Sequence, residues 1–195
     1  MKAMLPRLVF WCINLWIIAY TLVIGISLLL QFVGGELPCP LCMLQRYAMI
    51  LSTLGAVWIV RQAQHGVLTW DRYVQDLGLG ALGAFAGAVF ASRQIMLHIL
   101  PGDQGYGSAV LGLHLYSWAF VTFCVVILFT AVLGIMAPAA LPEAPARNST
   151  AARLSSAVGL TFLAVVAINA VMIVFLEGFA WVLPDNPTGY ALFGH

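Results

Sequence analysis

Two cysteines separated by two residues, Cys39 and Cys42, have the type and the spacing that redox chemistry requires. They lie in the stretch Pro38-Cys39-Pro40-Leu41-Cys42, between two long apolar segments. A CxxC pair can be a redox dithiol, half of a zinc site or two cysteines without a function. Because the second apolar segment begins at this pair, we expect a helix N-terminus there, whose unpaired N–H groups stabilise a thiolate.

The composition of the chain is that of a membrane protein. Of its 195 residues, 63% are hydrophobic and 8% are charged, whereas soluble globular domains have about 25% charged residues. The net charge is +1 and there is no basic run, so the clustered Lys/Arg face of a nucleic-acid-binding protein is missing. We expect membrane lipid around the protein and exclude nucleic acid as a partner.

Five apolar segments are long enough to cross a membrane as helices, which takes about 20 residues. They cover residues 8–33, 43–60, 77–100, 111–136 and 155–176. Basic residues cluster before the first segment, between the second and third, and between the fourth and fifth: Lys2, Arg7, Arg61, Arg72, Arg147 and Arg153. The positive-inside rule makes these regions cytoplasmic. It predicts a cytoplasmic N-terminus, an extracytoplasmic C-terminus and an extracytoplasmic cysteine pair, where disulfides persist.

Few side chains are available to give the pair another role. Zinc takes about four ligands, and besides the pair only His98, His114 and His195 are expected on the same side, so we predict no metal site. Arg46 follows Cys42 by about one helical turn, which puts both on one helix face. There the guanidinium could hold negative charge on the sulfur or on a reduced acceptor, or it could extend to the lipid headgroups.

Residues 38–46 resemble the first-loop motif of the DsbB family, membrane thiol:quinone oxidoreductases in which a CxxC precedes a helix with a quinone-site arginine. Arg93-Gln94 followed by Leu97-His98 is similar to the family's segment at the outer end of helix three. Leu111-Gly112-Leu113 followed by Trp118 is similar to the entry of helix four. The resemblance covers about residues 8–136 and implies a four-helix membrane bundle.

The resemblance also implies roles for the motif residues. Cys39 and Cys42 would be catalytic, with Cys39 exchanging disulfides on the partner side. Cys42 would lie against a quinone, either ubiquinone or menaquinone, and Arg46 would support that quinone.

Three further polar residues are predicted to bind the cofactor. They are Arg93, His98 and His114, near the outer ends of the third and fourth segments. Arg93 could instead extend to the membrane surface, and each histidine could be an interfacial side chain that reaches water. As an alternative cofactor, haem b could be held by His98 and His114.

Two features depart from the family pattern. Classical members carry a second cysteine pair between helices three and four, whereas residues 101–110 contain no cysteine. Cys12 and Cys124 lie inside apolar segments, and we interpret them as small buried residues. The second departure is the fifth apolar segment, which gives the bundle a surface for a partner subunit or for closing the quinone cleft.

The sequence thus predicts an all-α integral membrane protein, a DsbB-like four-helix bundle plus a fifth transmembrane helix. We divide it into a DsbB-like membrane domain (1–137), a flexible cytoplasmic connector (138–154), and the fifth helix with an outward aromatic tail (155–195). The tail carries four aromatic residues that could anchor in the headgroup region or cap a site between helices: Phe179, Trp181, Tyr190 and Phe193.

The function that these features favour is electron transfer from extracytoplasmic thiols, through the CxxC disulfide, to membrane quinone. The protein would be a thiol:quinone oxidoreductase of the bacterial inner membrane, and its partner an extracytoplasmic thiol protein. The alternative is a non-catalytic accessory subunit derived from the family, with a structural disulfide and a membrane partner subunit in a larger complex.

Overall fold

A computed structural model of the protein describes residues 4–100, 102–103, 105–107, 109–180, 183–184 and 187–193. Lys2, Trp181 and His195, which enter the predictions above, lie outside the described residues.

Five long helices make up most of the described chain. They are α1 (Met4–Val33), α2 (Pro40–His65), α3 (Trp70–Leu97), α4 (Leu115–Met136) and α5 (Thr150–Glu177). Each is long and apolar enough to cross a membrane, since even 22 residues extend about 33 Å at 1.5 Å per residue. The prediction of an all-α membrane fold with five spans is confirmed.

Some helix bounds differ from the predicted segments. The third ends at Leu97 and the fourth begins at Leu115, both inside the predicted limits, while α5 begins at Thr150, earlier than predicted. Hydropathy alone extended the third and fourth segments into the loop because its flanks are rich in leucine and isoleucine.

A short antiparallel hairpin replaces the predicted start of the fourth span. Its strands are β1 (Ala109–Val110) and β2 (Leu113–His114), with Val110 paired to Leu113. The two residues between them, Leu111 and Gly112, both have positive φ angles, 51° and 81°. This is the backbone that a two-residue hairpin turn requires.

Local chemistry sets both ends of α2, the helix that follows the cysteine pair. Cys39 is its N-cap and Pro40 its first residue, where a missing N–H costs nothing. Gly66, with φ of 69°, ends the helix in the left-handed conformation that glycine tolerates. We call the end of the bundle at which Cys39 and Cys42 lie the cysteine end.

Small residues bring α3 close to its neighbours. Its buried face is a stripe at helical spacing: Gly80, Gly83, Ala84, Gly87, Ala88, Ala91 and Gln94. A Cβ on Gly83 would come within 2.6 Å of the Ser52 backbone nitrogen on α2, and Ser52 Oγ donates to the Gly80 carbonyl at 2.8 Å. Membrane helices commonly associate through such small residues. Gln94, the last residue of this stripe, therefore lies at the cysteine end.

The fifth helix packs mainly on α1. Ser155 Oγ donates to Asn14 Oδ1 at 2.8 Å, a hydrogen bond between two side chains that are both buried. The connector before α5 is partly packed as well, since Ala140 is buried and the Glu143 backbone N–H donates to the Pro6 carbonyl. The division of the chain into three parts stays a prediction.

We expect Gly83→Ala to lower the free energy of unfolding by roughly 1–3 kcal/mol, because the added methyl group forces α2 and α3 apart. Gly78→Ala on the same helix is the matched control, since its Cβ would meet no atom within 4 Å. Thermal unfolding in detergent, followed by circular dichroism, measures both. Equal stabilities of the two variants would contradict the close packing of α2 on α3.

Candidate active site at the cysteine pair

Cys39 and Cys42 form a disulfide that closes the first turn of α2. Their Cα atoms are 5.0 Å apart, within the usual range for bridged cysteines. The Cys39 Sγ also accepts a hydrogen bond from the Cys42 backbone N–H at 3.2 Å, as an N-cap side chain does. The pair therefore lies at the positive end of the α2 dipole, which favours a thiolate there.

A glutamine from α3 contacts both sulfurs. Gln94 Nε2 lies 3.4 Å from the Cys39 Sγ and 3.5 Å from the Cys42 Sγ. Its carbonyl oxygen accepts a hydrogen bond of 2.7 Å from Gln45 Nε2 on α2. Both glutamines are at least 95% buried, so this chain of amides is shielded from water.

Arg46 is buried beside the pair, and its hydrogen bonds go to α1. One guanidinium nitrogen donates to Gln31 Oε1 at 2.9 Å and another to the Ser27 carbonyl at 3.1 Å. With 7% of its surface exposed, the side chain does not extend to the headgroups. The hydrogen bonds described for the Cys42 side chain are made with Gln94, not with Arg46.

The amide that binds Arg46 has an unused donor. Gln31 is 2% exposed, and while its oxygen accepts from Arg46, its Nε2 has no hydrogen-bond partner. Buried N–H groups without a partner are uncommon in folded proteins, so this donor calls for an acceptor. A ligand oxygen is one acceptor that could satisfy this donor next to the cation.

A second unsatisfied amide, Asn169, lies on α5. It is 1% exposed, and both its Nδ2 and its Oδ1 are without partners. The hydrogen bond between Ser155 and Asn14 links the start of α5 to α1, and Asn169 and Leu28 are each 14 residues farther along the chain. Since the two helices run in the same direction, Asn169 lies within about one turn of the level of Gln31.

The end of α5 and the tail cover the start of α2. Met43 packs with Ile173 and Leu176 of α5 in a small apolar cluster. Leu37, Leu183 and Tyr190 pack against that cluster from outside. The fifth helix therefore packs against the cysteine end, and both of its predicted uses, closing a quinone cleft and holding a partner subunit, stay predictions.

A loop residue is tied to the segment just before the cysteines. The Tyr106 hydroxyl donates to the Leu37 carbonyl at 2.6 Å. Burial, and after it the Glu36 carboxylate, raises the pKa of Tyr106 above its usual range, so the hydroxyl stays protonated and able to donate. A cleft of about 270 Å³ opens beside this contact, lined by Glu36, Leu37, Tyr106, Gly107 and Pro187.

The two cysteines differ in exposure. Cys39, the residue predicted to exchange with the partner, is only 7% exposed, and Cys42 is half-buried. Because Cys39 is buried, an attacking thiol needs a local movement of the surrounding chain to reach it.

His98 and His114 lie together at the cysteine end, where both rings stack on Tyr116, with centroids 5.7 Å and 5.3 Å away. His98 Nδ1 is 3.1 Å from Asp103, and His114 Nδ1 is 3.1 Å from the Gly107 carbonyl. These contacts order the loop and lend no support to the haem alternative. Within the described residues no group of three or more His, Cys, Asp or Glu side chains could hold a metal.

A carboxylate, Asp103, lies in the same loop. It accepts the Gly105 backbone N–H at 2.8 Å and lies beside His98. These two neighbours, the backbone N–H first, hold the pKa of Asp103 below its usual range. The carboxylate is therefore ionised at neutral pH and available to orient His98.

The structure brings Cys39, Cys42 and Arg46 together but not Arg93. Arg93 is exposed, and its buried neighbour Gln94 is the residue that reaches the sulfurs. Sequence reasoning assigned Gln94 no role, although an amide that continues a stripe of glycines and alanines was a usable signal.

The free cysteines also differ from their predicted state. Cys12 on α1 and Cys124 on α4 are partly exposed rather than buried, and both are free thiols.

Comparison with known proteins gives a consistent family. The family model described as "Disulfide bond formation protein DsbB" matches residues 9–107, which include the cysteine pair, Arg46 and Gln94 but not α5. A "Disulfide bond formation protein B" of Stutzerimonas stutzeri is 40% identical over 94 residues, which are 47% of this chain and 55% of the relative.

Two further relatives extend this result. One from Chromobacterium violaceum is 36% identical over 85 residues, covering 42% of this chain and 46% of the relative. A "Disulfide bond formation protein B 1" of Pseudomonas fluorescens is 32% identical over 130 residues, 54% of this chain and 77% of the relative. The chain spans about half the length of the first two relatives. No solved structure matches the chain.

We expect Tyr106→Phe to make the Cys39–Cys42 disulfide roughly five-fold faster to reduce with dithiothreitol. The variant loses the hydrogen bond, worth about 1 kcal/mol, that holds Leu37 and the segment before Cys39 in place. Thiol labelling over time measures the rate. Tyr47→Phe, which removes a hydroxyl from an exposed side chain of α2, is the control. If both variants are reduced at the rate of the parent, Tyr106 does not restrict access to the disulfide.

Proposed function

Because the chain belongs to the DsbB family, we propose that it is a membrane oxidoreductase that passes electrons from extracytoplasmic thiols, through the Cys39–Cys42 disulfide, to a membrane quinone. The observation that carries this proposal is a disulfide at a helix N-terminus, contacted by a buried amide and adjacent to a buried arginine. The basic residues between the helices support a bacterial inner-membrane location, with a cytoplasmic N-terminus and a periplasmic C-terminus. The accessory-subunit alternative is not favoured, because family membership points to disulfide formation.

The first step is thiol–disulfide exchange. A thiolate of the donor protein attacks the Cys39 Sγ, a bond forms between the two sulfurs, and the Cys39–Cys42 bond breaks with its electron pair on Cys42. Cys39 keeps the Cys42 backbone N–H as a donor during this step. A second donor thiolate then attacks the mixed disulfide, which releases the oxidised donor and leaves Cys39 and Cys42 reduced.

Because Cys39 is buried, thiol–disulfide exchange requires a movement of the chain around it. Only 7% of Cys39 is exposed, and the Tyr106 hydroxyl holds the Leu37 carbonyl, two residues before Cys39, by a hydrogen bond. The donor would enter through the cleft beside Leu37 and Tyr106 and displace that contact. Because residues 101–110 contain no cysteine, we propose that the donor reacts with Cys39 directly, without a relay through a second pair.

The polar groups around Arg46 fit a quinone carbonyl. The Arg46 guanidinium is held by α1, and Gln31 Nε2 and the Asn169 amide are buried with unused donors. These three side chains would hold and polarise a carbonyl oxygen, since buried donors are strongest where water is excluded. When bound, the quinone, ubiquinone or menaquinone, supplies an acceptor for two electrons and two protons.

The remaining predicted contacts to the quinone stay predictions. Cys42 lies on α2 one helical turn before Arg46, and it is the cysteine predicted to lie against the quinone. His98 and His114 offer imidazoles, which can accept and donate protons. Arg93 has the weakest support, because it is exposed while its neighbour Gln94 faces the site.

We expect the purified protein to reduce a short-chain ubiquinone analogue with a dithiol donor, and we expect Cys39→Ser and Cys42→Ser to lose this activity, since neither can form the disulfide. Cys12→Ser and Cys124→Ser are matched controls that should keep it. Absorbance of the quinone measures the rate. A Cys39→Ser or Cys42→Ser variant as fast as the parent would rule out the proposed pathway.

We expect Gln31→Leu to raise the KM for quinone by about ten-fold with little change in kcat, because a donor used in binding is lost. Gln31→Glu keeps an acceptor for Arg46 but removes the N–H, so it should raise KM at least as much. Gln64→Leu, near the other end of the bundle, is the control. If only Gln31→Leu raises KM, Gln31 acts through Arg46 and not on the quinone.

A further inference from the structure

Within the part of the chain that the structure describes, Gln94 is the one side chain outside α2 that hydrogen-bonds to the disulfide. Its Nε2 is 3.4 Å from the Cys39 Sγ and 3.5 Å from the Cys42 Sγ, both within hydrogen-bonding range for sulfur. Gln94 is 1% exposed, so no water competes strongly for its N–H groups. The contact joins residues 52 and 55 positions apart in the chain and depends on the packing of α3 against α2.

The orientation of the Gln94 amide follows from its neighbours. A disulfide sulfur has no proton, so it can only accept a hydrogen bond, and the nitrogen of Gln94 must face it. The oxygen then faces Gln45, whose Nε2 donates to it at 2.7 Å. Gln45 is 5% exposed and holds the amide in this orientation.

The strength of this contact changes when the disulfide opens. A neutral disulfide sulfur is a weak acceptor, whereas a thiolate carries a full charge, and hydrogen bonds to charged groups are about twice as strong as neutral ones. An N–H that is already in position gains this energy without reorganisation. The contact therefore favours the state in which one sulfur bears negative charge.

The two sulfurs do not depend equally on Gln94. Cys39 also accepts the backbone N–H of Cys42 at 3.2 Å, so it retains a donor when the bond breaks. For the Cys42 sulfur, the donor described is Gln94. Other charged or titratable groups nearby direct their hydrogen bonds elsewhere: Arg46 to Gln31, His98 to Asp103 and Tyr106 to Leu37.

We propose that Gln94 stabilises Cys42 as the leaving thiolate when a donor thiol attacks Cys39, and that Gln45 is the positioning residue that aims the Gln94 amide. The inference deepens the proposed function and rests on thiol exchange at this pair. In that step the donor sulfur bonds to Cys39, the Cys39–Cys42 bond breaks, and the electron pair stays on Cys42 beside the Gln94 N–H.

The test measures Cys42 alone, in a variant with Cys12→Ser, Cys39→Ser and Cys124→Ser. The rate of alkylation by iodoacetamide is recorded against pH in detergent, without quinone. We expect Gln94→Leu to move the midpoint of this profile upward by about one pH unit, roughly a ten-fold lower rate at neutral pH. Gln94→Glu, which replaces the donor with an acceptor, should move it at least as far, and Gln45→Leu should move it in the same direction by less.

Gln64→Leu controls for the loss of a glutamine elsewhere and should leave the profile unchanged. If Gln94→Leu does not fold, Gln94→Glu and Gln45→Leu carry the test. If both Gln94 variants give the same profile as Gln64→Leu, the proposal is overturned. If Gln94→Leu does not fold, the same result in both Gln94→Glu and Gln45→Leu overturns it. The alkylation assay contains no quinone, so it is independent of quinone reduction. If the Gln94 variants shift the profile but the parent protein does not reduce quinone, the proposed function is rejected and the role of Gln94 is kept.

Discussion

A charged guanidinium inside a bundle of apolar helices is tolerated only if its N–H groups find acceptors, because removing a charge from water costs several kcal/mol. In this protein Arg46 meets that condition through Gln31 and the Ser27 carbonyl on α1. The hydrogen bonds fix the end of α1 against the start of α2, the turn that carries the disulfide. This arrangement holds the start of α2, and the packing of α3 on α2 then brings the Gln94 amide to the two sulfurs.

The same constraint explains why glutamines rather than charged residues surround the disulfide. Gln94 and Gln45 satisfy each other and contact the sulfurs without adding a net charge. The Gln31 Nε2 and the Asn169 amide are exceptions, because these buried groups have no hydrogen-bond partner among the described residues. A ligand carbonyl oxygen next to Arg46 would satisfy the Gln31 donor. Asn169 belongs to the fifth helix, which the family match does not cover and which packs on the start of α2 through Ile173 and Leu176.

The large features of the fold could be predicted from the sequence, and the fine contacts of the site could not. Long apolar runs and the positions of basic residues identify five spans, because length and hydropathy are properties of each segment alone. The CxxC motif and the arginine one turn later identify the cysteine end. Gln94 was missed because its importance comes from a contact between helices, which only the packing of the glycine stripe on α3 creates. The hairpin at Leu111 was missed because hydropathy does not register a turn with positive φ angles.

If electrons leave the Cys39–Cys42 pair for membrane quinone, the redox state of the pair must follow the supply of quinone. The most direct measurement is the redox state of this pair in native membranes, by thiol labelling of trapped samples, with quinone present and after quinone depletion. We expect a pair that is mostly oxidised when quinone is supplied and that accumulates as the dithiol when quinone is withdrawn. A pair that stays oxidised under both conditions would contradict it and identify the disulfide as structural.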